Sequence, residues 1–250
     1  MPRANRFHIP NLAWHITHRC HDRKFLLRFE QDRARWRYWL FQARRRYGLC
    51  VLNFMATSNH IHLLVMGASD QRIARSMQLI AGRTAAEFNH RKKRRGAFWQ
   101  DRYFATAVST DEHLIQCLLY IDLNMVRAGV VRHPREWKVC GFNEIQNPRS
   151  RYRILDLERL CEIAGVPELG LLQKSHTQWL NSKLNAGQTK RESQWTEPVA
   201  VGSSDFIQRV KNELGPKVVY RQSGSTPSGQ SFVKEKGAQN AVLTSKLECK

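Results

Sequence analysis

Apolar residues over the first 145 or so positions follow two spacings in turn, and each switch marks an element. Leu12 to Cys20 (LAWHITHRC) alternates with a period of two in β-prone residue types, which predicts a strand. Phe29, Arg33, Trp36, Leu40 and Tyr47 lie near helical spacing and Gly48 supplies a stop, so a helix is predicted there. Leu49–Ala56 (LCVLNFMA) and His60–Met66 (HIHLLVM) read as two strands of a hairpin, turned by Thr57-Ser58-Asn59. Asp70 can cap a helix that runs to about Asn89, with Ile73, Met77, Ile80 and Phe88 among its apolar positions. A basic run, His90 to Arg95, ends at Gly96, and Ala97–Val108 (AFWQDRYFATAV) is predicted as a fourth strand. Thr110 opens an imperfect capping box with His113 in its third place. Asp111 and Glu112 suit the start of a helix running through Tyr120 to about Arg127 and stopping at Gly129.

The order strand-helix-strand-strand-helix-strand-helix is the split βαβ pattern. It predicts an α+β, ferredoxin-like antiparallel sheet with helices on one face, the last helix able to lie across the sheet. The pattern loosens after Pro148. Ile154–Ala164 and Glu168–Lys183 look helical, Gly187–Ser204 is polar and linker-like, and Asp205–Leu214 (DFIQRVKNEL) is a short amphipathic helix. From Gln222 onward Ser, Gly, Lys and Gln dominate, which predicts a disordered tail. The expected division is a first domain over 1–148, a helical extension of unassigned role over 149–221, and a tail over 222–250. No internal repeat is apparent.

Charge adds a partner. Of 250 residues, 41 are Lys or Arg and 21 are Asp or Glu, so the formal charge is 41 − 21 = +20. Such a balance points to a polyanion, bound with release of its counterions. An anionic membrane surface competes as a partner on charge alone. No run of 18 or more apolar residues suggests a membrane span, and the N-terminus (MPRANRFHIP) lacks the apolar core of a signal peptide. Cysteines at 20, 50, 117, 140, 161 and 249 form no CxxC pair, which fits reduced thiols in a cytoplasmic, nucleoid-associated protein.

Two short patterns carry candidate chemistry. In His60-Ile61-His62 the strand alternation sends both imidazoles to one face, where they can share a metal ion. Alone, such a pair is more often two surface histidines. In Tyr120-Ile-Asp-Leu-Asn124 the i, i+4 spacing puts a phenol and a carboxamide on one helical face. Alone, this is more often a core tyrosine beside a surface asparagine. His15, His18, Cys20 and His21 crowd the first strand but divide between its faces, so one four-ligand zinc site fits poorly; His15 or Thr17 can line the face of the histidine pair. Arg91, Lys92, Lys93, Arg94 and Arg95, followed by Trp99 and Arg102, combine phosphate-binding charge with an aromatic able to stack on a base. The bland alternative is a solvated turn beside buried aromatics.

SNHIHLLV, FWQDRYF and YIDLNMVRAGVV, with WHITHRCHDR before them, resemble the single-tyrosine transposases of the His-hydrophobic-His (HUH) superfamily. Within it they are most similar to the REP-associated tyrosine transposases. The resemblance covers residues 1 to about 145. It departs at Met125, where the family usually carries proline. It implies that His60, His62 and Asn124 hold a divalent cation, Mg²⁺ or Mn²⁺, and that Tyr120 is the nucleophile. The implied product is a 5′-phosphotyrosine and a free 3′-OH on single-stranded, hairpin-containing DNA, and the implied activity is DNA transposition. Imidazole ligands suit Mn²⁺, Zn²⁺ or Fe²⁺ better than Mg²⁺, so the metal stays open, as does monomer against dimer. Two other classes compete: a domesticated DNA- or RNA-binding protein that no longer cuts, and a metal hydrolase that activates water. The second lacks a nearby carboxylate base other than Asp122, which points away from Tyr120 on a helix.

Overall fold

The first strand, β1 (Ala13–Arg19), is the hinge of the sheet. It pairs antiparallel on one side with β3 (His60–Met66) and on the other with β4 (Phe104–Val108). β2 (Cys50–Ala56) pairs antiparallel with β3, so the first four strands run in the order β2-β3-β1-β4. This is the expected ferredoxin-like arrangement. The structure is a computed structural model, and it describes residues 9, 11–67, 70–110, 112–187, 192–214, 221–225 and 231–235.

Two crossover helices share one face of the sheet. α1 (Glu30–Tyr47) turns Asp32, Trp36, Leu40 and Ala43 inward along a single stripe and leaves most of its arginines outside. Gly48, at φ 64°, ends it in the left-handed conformation, its N–H donating to the Arg44 carbonyl (2.9 Å). α2 (Asp70–Arg91) packs beside it. Trp36 meets Phe54 of β2 on this face. Asn53, the neighbour of Phe54, points the other way and meets the third helix, α3 (Glu112–Asp122). The helix expected to lie across the sheet thus covers the opposite face.

α3 is buried almost all round, from His113 to Asp122. A helix of that kind needs cover on both sides. One cover is the sheet; the other is the C-terminal extension. Asn53 donates to the Leu118 carbonyl (3.2 Å) and to Asp122 Oδ1 (3.0 Å). Asp122 Oδ2 lies 2.8 Å from Nε2 of His176, on the helix Leu169–Asn185, and Gln146 donates to Nδ1 of the same ring (3.1 Å). The Gln146 bond leaves the His176 proton on Nε2, where it donates to Asp122. Gly141 is needed at this junction, because a Cβ there would stand 2.0 Å from Asn53 Oδ1.

Several predicted bounds move. The fourth strand begins at Phe104 rather than Ala97. Residues 97–103 form a loop tied by the Trp99 indole donating to the Ala81 carbonyl (3.0 Å) and by a lone bridge between Cys20 and Trp99. Its aromatics mimic a strand pattern because they are buried one by one against β1 and α2. The helix of Tyr120 does not run unbroken to Arg127. It turns at Leu123 (ψ 1°) and resumes as α4 (Asn124–Arg127), so the chain bends there with Met125 and no proline.

α5 (Gly141–Gln146) ends the first 148 residues, and the extension after it is not purely helical. α6 (Leu157–Ala164) and α7 (Leu169–Asn185) precede β5 (Ala200–Gly202), which joins β4 in parallel, and α8 (Ser204–Leu214) follows. The stretch read as a linker therefore contains a strand and the fully buried Trp195. The segment read as a disordered tail holds β7 (Ser231–Glu235), paired antiparallel with β5 and with β6 (Arg221–Ser225). The rest of that segment lies outside the described residues. The described cysteines, 20, 50, 117, 140 and 161, are unpaired thiols. Burial pushes Cys20 and Cys140 up to about 12. Among the described residues no helix is long and apolar enough to cross a membrane.

Replacing Asp122 with Ala would leave the buried Asn53 amide and the His176 N–H without their shared acceptor. Urea unfolding should register a loss of about 3 kcal/mol, from two buried polar groups left unsatisfied.

Candidate active site

β3 sends His60 and His62 to the face that α3 covers, while Ile61 goes to the α1/α2 side. Their ring centroids are 4.9 Å apart and nearly perpendicular. Each ring is aimed from its Nδ1 end. His60 Nδ1 is 2.9 Å from Thr57 Oγ1 and 2.8 Å from Asn59 Oδ1, both in the hairpin turn. His62 Nδ1 is 2.9 Å from Nε2 of His15 on β1, and His15 Nδ1 is 2.7 Å from the Trp195 carbonyl.

Proton positions along this row follow from its end. A carbonyl only accepts, so His15 carries its proton on Nδ1 and its Nε2 is a lone pair. His62 must then donate from Nδ1, which leaves its own lone pair on Nε2. That atom lies 2.9 Å from the Asn124 amide. Both imidazoles must be neutral for this to hold. Burial lowers the His15 pKa to about 4, against the raising effect of the Trp195 carbonyl. His62 is held well below 6.5, first by burial and then by His60, His15, Arg127 and Arg19.

Tyr120 closes the group. Its ring centroid is 6.0 Å from that of His62 and 6.1 Å from that of His15, edge-on to both. The Arg127 guanidinium stacks over it, 4.0 Å from the centroid, and donates to the Tyr120 carbonyl (2.6 Å). Trp195 lies on the phenol ring at 6.1 Å, and Tyr120 is only 4% exposed. The turn bearing Trp195 thus helps to cover the phenol ring. Glu192 holds that turn by accepting from the Trp195 indole (2.9 Å).

The donor set suits a divalent cation. His62 presents a ring whose proton is fixed on the far nitrogen, the tautomer a metal requires. The Asn124 carboxamide needs only to present its oxygen in place of its nitrogen. Among the described residues no three His, Cys, Asp or Glu side chains cluster for a metal, so any such site depends on the amide.

Four of the residues singled out in the sequence thus converge: His60, His62, Tyr120 and Asn124. His15 lines the same face, as expected. The basic residues are elsewhere. Arg91, Lys92, Lys93, Arg94 and Arg95 end α2 or follow it, on the α1/α2 side of the sheet. Arg91 pairs with Asp32, Lys92 sits over the Phe29 ring, and Lys93 and Arg95 are exposed. Arg94 ties down its own loop through Asn89 and the Ala97 carbonyl. Trp99 is committed to packing, stacked on His18 at 4.1 Å with Phe98 against it. Arg102 is exposed. Arg127 and Trp195 were not singled out. Arg127 stood inside a quoted motif without a role, and the apolar cluster around Trp195 and Val199-Ala200-Val201 was the signal against a linker there.

Residues 8–124 match the family described as "Transposase IS200 like". Among the solved structures similar to this chain are the following two. One is of a REP-associated tyrosine transposase bound to a REP hairpin, 20% identical, with a TM-score of 0.49, covering 62% of this chain and 90% of that one. The other is a putative transposase from Deinococcus radiodurans R1, 17% identical, with a TM-score of 0.34, covering 51% of this chain and 92% of that one. No curated protein matches.

The buried histidines set a pH dependence of stability. Unfolded, His15 titrates near 6.5; folded, near 4. Between these values the unfolded chain binds more protons, so stability falls as pH drops from about 6.5 to about 4. Urea midpoints across this range should fall, and a His15→Phe variant should show a shallower slope.

Proposed function

We propose that this chain, whose residues 8–124 belong to the IS200-like transposase family, cleaves and rejoins single-stranded DNA through Tyr120. His60, His62 and Asn124 would hold a divalent cation, Mg²⁺ or Mn²⁺. The observation that carries the reading is the meeting of the Asn124 amide with His62 Nε2 at 2.9 Å, beside the Tyr120 ring.

A bound cation would polarise a non-bridging oxygen of the scissile phosphate. The residues of the chain do the rest. Tyr120 Oη attacks phosphorus; the Oη–P bond forms and the P–O3′ bond breaks. The phenol proton goes to solvent and the departing 3′ oxygen takes one up. The 5′-phosphotyrosine keeps a phosphodiester, so a second 3′-OH can reverse the step and join strands. Tyr120 has a free pKa near 10 and needs help to ionise. Arg127 supplies it, because a guanidinium over the ring favours the phenolate. The same basic protein surface binds the DNA backbone. A hairpin is the substrate to try first, given the resemblance of YIDLNMVRAG to the REP-associated relatives.

A second reading, binding without cleavage, draws on the cover that Trp195 places over Tyr120. One experiment separates the readings. Labelled hairpin oligonucleotides with a panel of single-stranded flanks are incubated with Mn²⁺ and run on a denaturing gel. A covalent adduct should form, disappear in Tyr120→Phe, and fall at least a hundredfold in His62→Ala. Cleavage that survives in Tyr120→Phe would point to a hydrolase, and tight binding without adduct to a binding protein.

Arg127→Leu should slow adduct formation and move the rising limb of its pH profile up by about half to one unit, the scale of a partly buried cation–π contact. Single-turnover rates between pH 6 and 10 would register it (roughly the range bracketing the phenol).

A further inference from the structure

Between α1 and α2, on the face of the sheet away from the histidine pair, lies a cavity of about 280 Å³. Asp32, Arg35, Thr84, Glu87, Phe88 and Arg91 line it. Most of its charge is matched: Arg35 holds Glu87 through two bonds of 2.8 and 2.7 Å, and Arg91 pairs with Asp32 Oδ1. Two polar atoms are not. Asp32 is 3% exposed and Thr84 4% exposed, yet neither Asp32 Oδ2 nor Thr84 Oγ1 has a hydrogen-bond partner. Buried acceptors without partners are uncommon and ask for a ligand or an ordered water.

An acidic residue in the first turn of a helix ordinarily reaches back to an N-terminal amide. Here no side chain caps α1, and Oδ1 alone ties α1 to the end of α2. At the start of α1, near the end of α2, the surface is cationic and aromatic: Phe29 is 57% exposed, with Arg28 and Lys92 over its ring. Such a surface tracks a phosphate backbone and stacks on bases.

We propose that this cavity takes one unpaired nucleobase of the bound DNA strand, selecting an exocyclic amino group. The Asp32 Oδ2 accepts from that amine, as carboxylates do from cytosine N4, and the Thr84 hydroxyl meets the neighbouring ring nitrogen. The Phe88 ring lies against the base. Thymine is disfavoured, since its single N–H sits between two carbonyl oxygens that face the carboxylate. The inference rests on the reading that the chain binds single-stranded DNA, but not on cleavage by Tyr120.

The test uses the full chain in EDTA, so that no cleavage intervenes, with fluorescein-labelled single-stranded oligonucleotides of dC, dA or dT. Wild type should bind dC or dA about five- to tenfold more tightly than dT, the worth of one base-edge pair. Asp32→Asn and, separately, Thr84→Val should each lower that preference severalfold while leaving dT binding within twofold. The Thr84 variant spares the Arg91 pair and so guards against loss of folding, which a thermal melt checks. Free dCMP should compete poorly; competition as strong as that of the oligonucleotide would instead assign the cavity to a mononucleotide and overturn the proposal. Equal binding of the three oligonucleotides, or a preference untouched by both variants, would leave the cavity to water and overturn it while sparing the DNA-binding reading. Failure to bind any oligonucleotide overturns both.

Discussion

One backbone carbonyl sets the chemistry available on the sheet. The Trp195 carbonyl accepts from His15, His15 accepts from His62, and His62 is left with its lone pair on Nε2 beside Asn124. Remove the first acceptor and nothing dictates which nitrogen of His62 carries the proton. The row works because both rings are buried deeply enough to stay neutral. It also joins parts of the chain far apart in sequence: a strand near the start, a hairpin, a helix near the middle and a turn in the extension. The extension is therefore part of the candidate site and not an appendage to it.

A second constraint holds the halves in register. The histidines stand on a strand and the phenol on a helix, and the Asn53–Asp122–His176 set fixes one against the other. Asp122 follows Tyr120 by two residues and faces away from it, so the anchoring side of α3 and the reactive side are opposite. That arrangement removes Asp122 as a base for water activation: both of its oxygens are already used, in the core. The metal-hydrolase reading thus loses the one carboxylate that sequence could offer it.

Period-two and helical spacings carried the ferredoxin-like core well, because each of its elements buries a regular stripe. They failed where burial is irregular. Phe98 and Trp99 look like strand residues, yet they pack from a loop, Phe98 buried and Trp99 partly so. Trp195 and Val199–Val201 sit in a polar stretch whose average composition hid a buried turn and a strand. The His60–His62 pair was visible because strand alternation is a strict rule. The His15–Trp195 link was not, since it spans 180 residues and ends on a main-chain atom, which leaves no trace in residue type. The bend at Leu123 shows a third kind of gap. Met125 stands where the resembled family usually carries proline, yet the chain bends there, and the Arg127 guanidinium on the Tyr120 carbonyl satisfies the end of α3 without proline.

The distribution of charge then separates two tasks. The exposed cations of the run after α2 lie across the sheet from Tyr120, so they would not reach a phosphate held at its phenol. Arg127, which was not chosen by clustering, is the cation in contact with the phenol ring. Its own pKa is lowered by burial, so part of its favourable interaction with Tyr120 offsets the loss of hydration. A half-buried guanidinium of that kind is held by what it faces: a ring, a main-chain carbonyl, the charge of Glu192 and, were the phenol to ionise as proposed, a further negative charge. It is the last of these that improves most as the proton leaves, and an interaction that strengthens along the reaction coordinate is the kind that accelerates a step. On the proposed reading, clustered surface charge would gather DNA to the protein, while the half-buried Arg127, placed by the bend after α3, would distinguish phenol from phenolate.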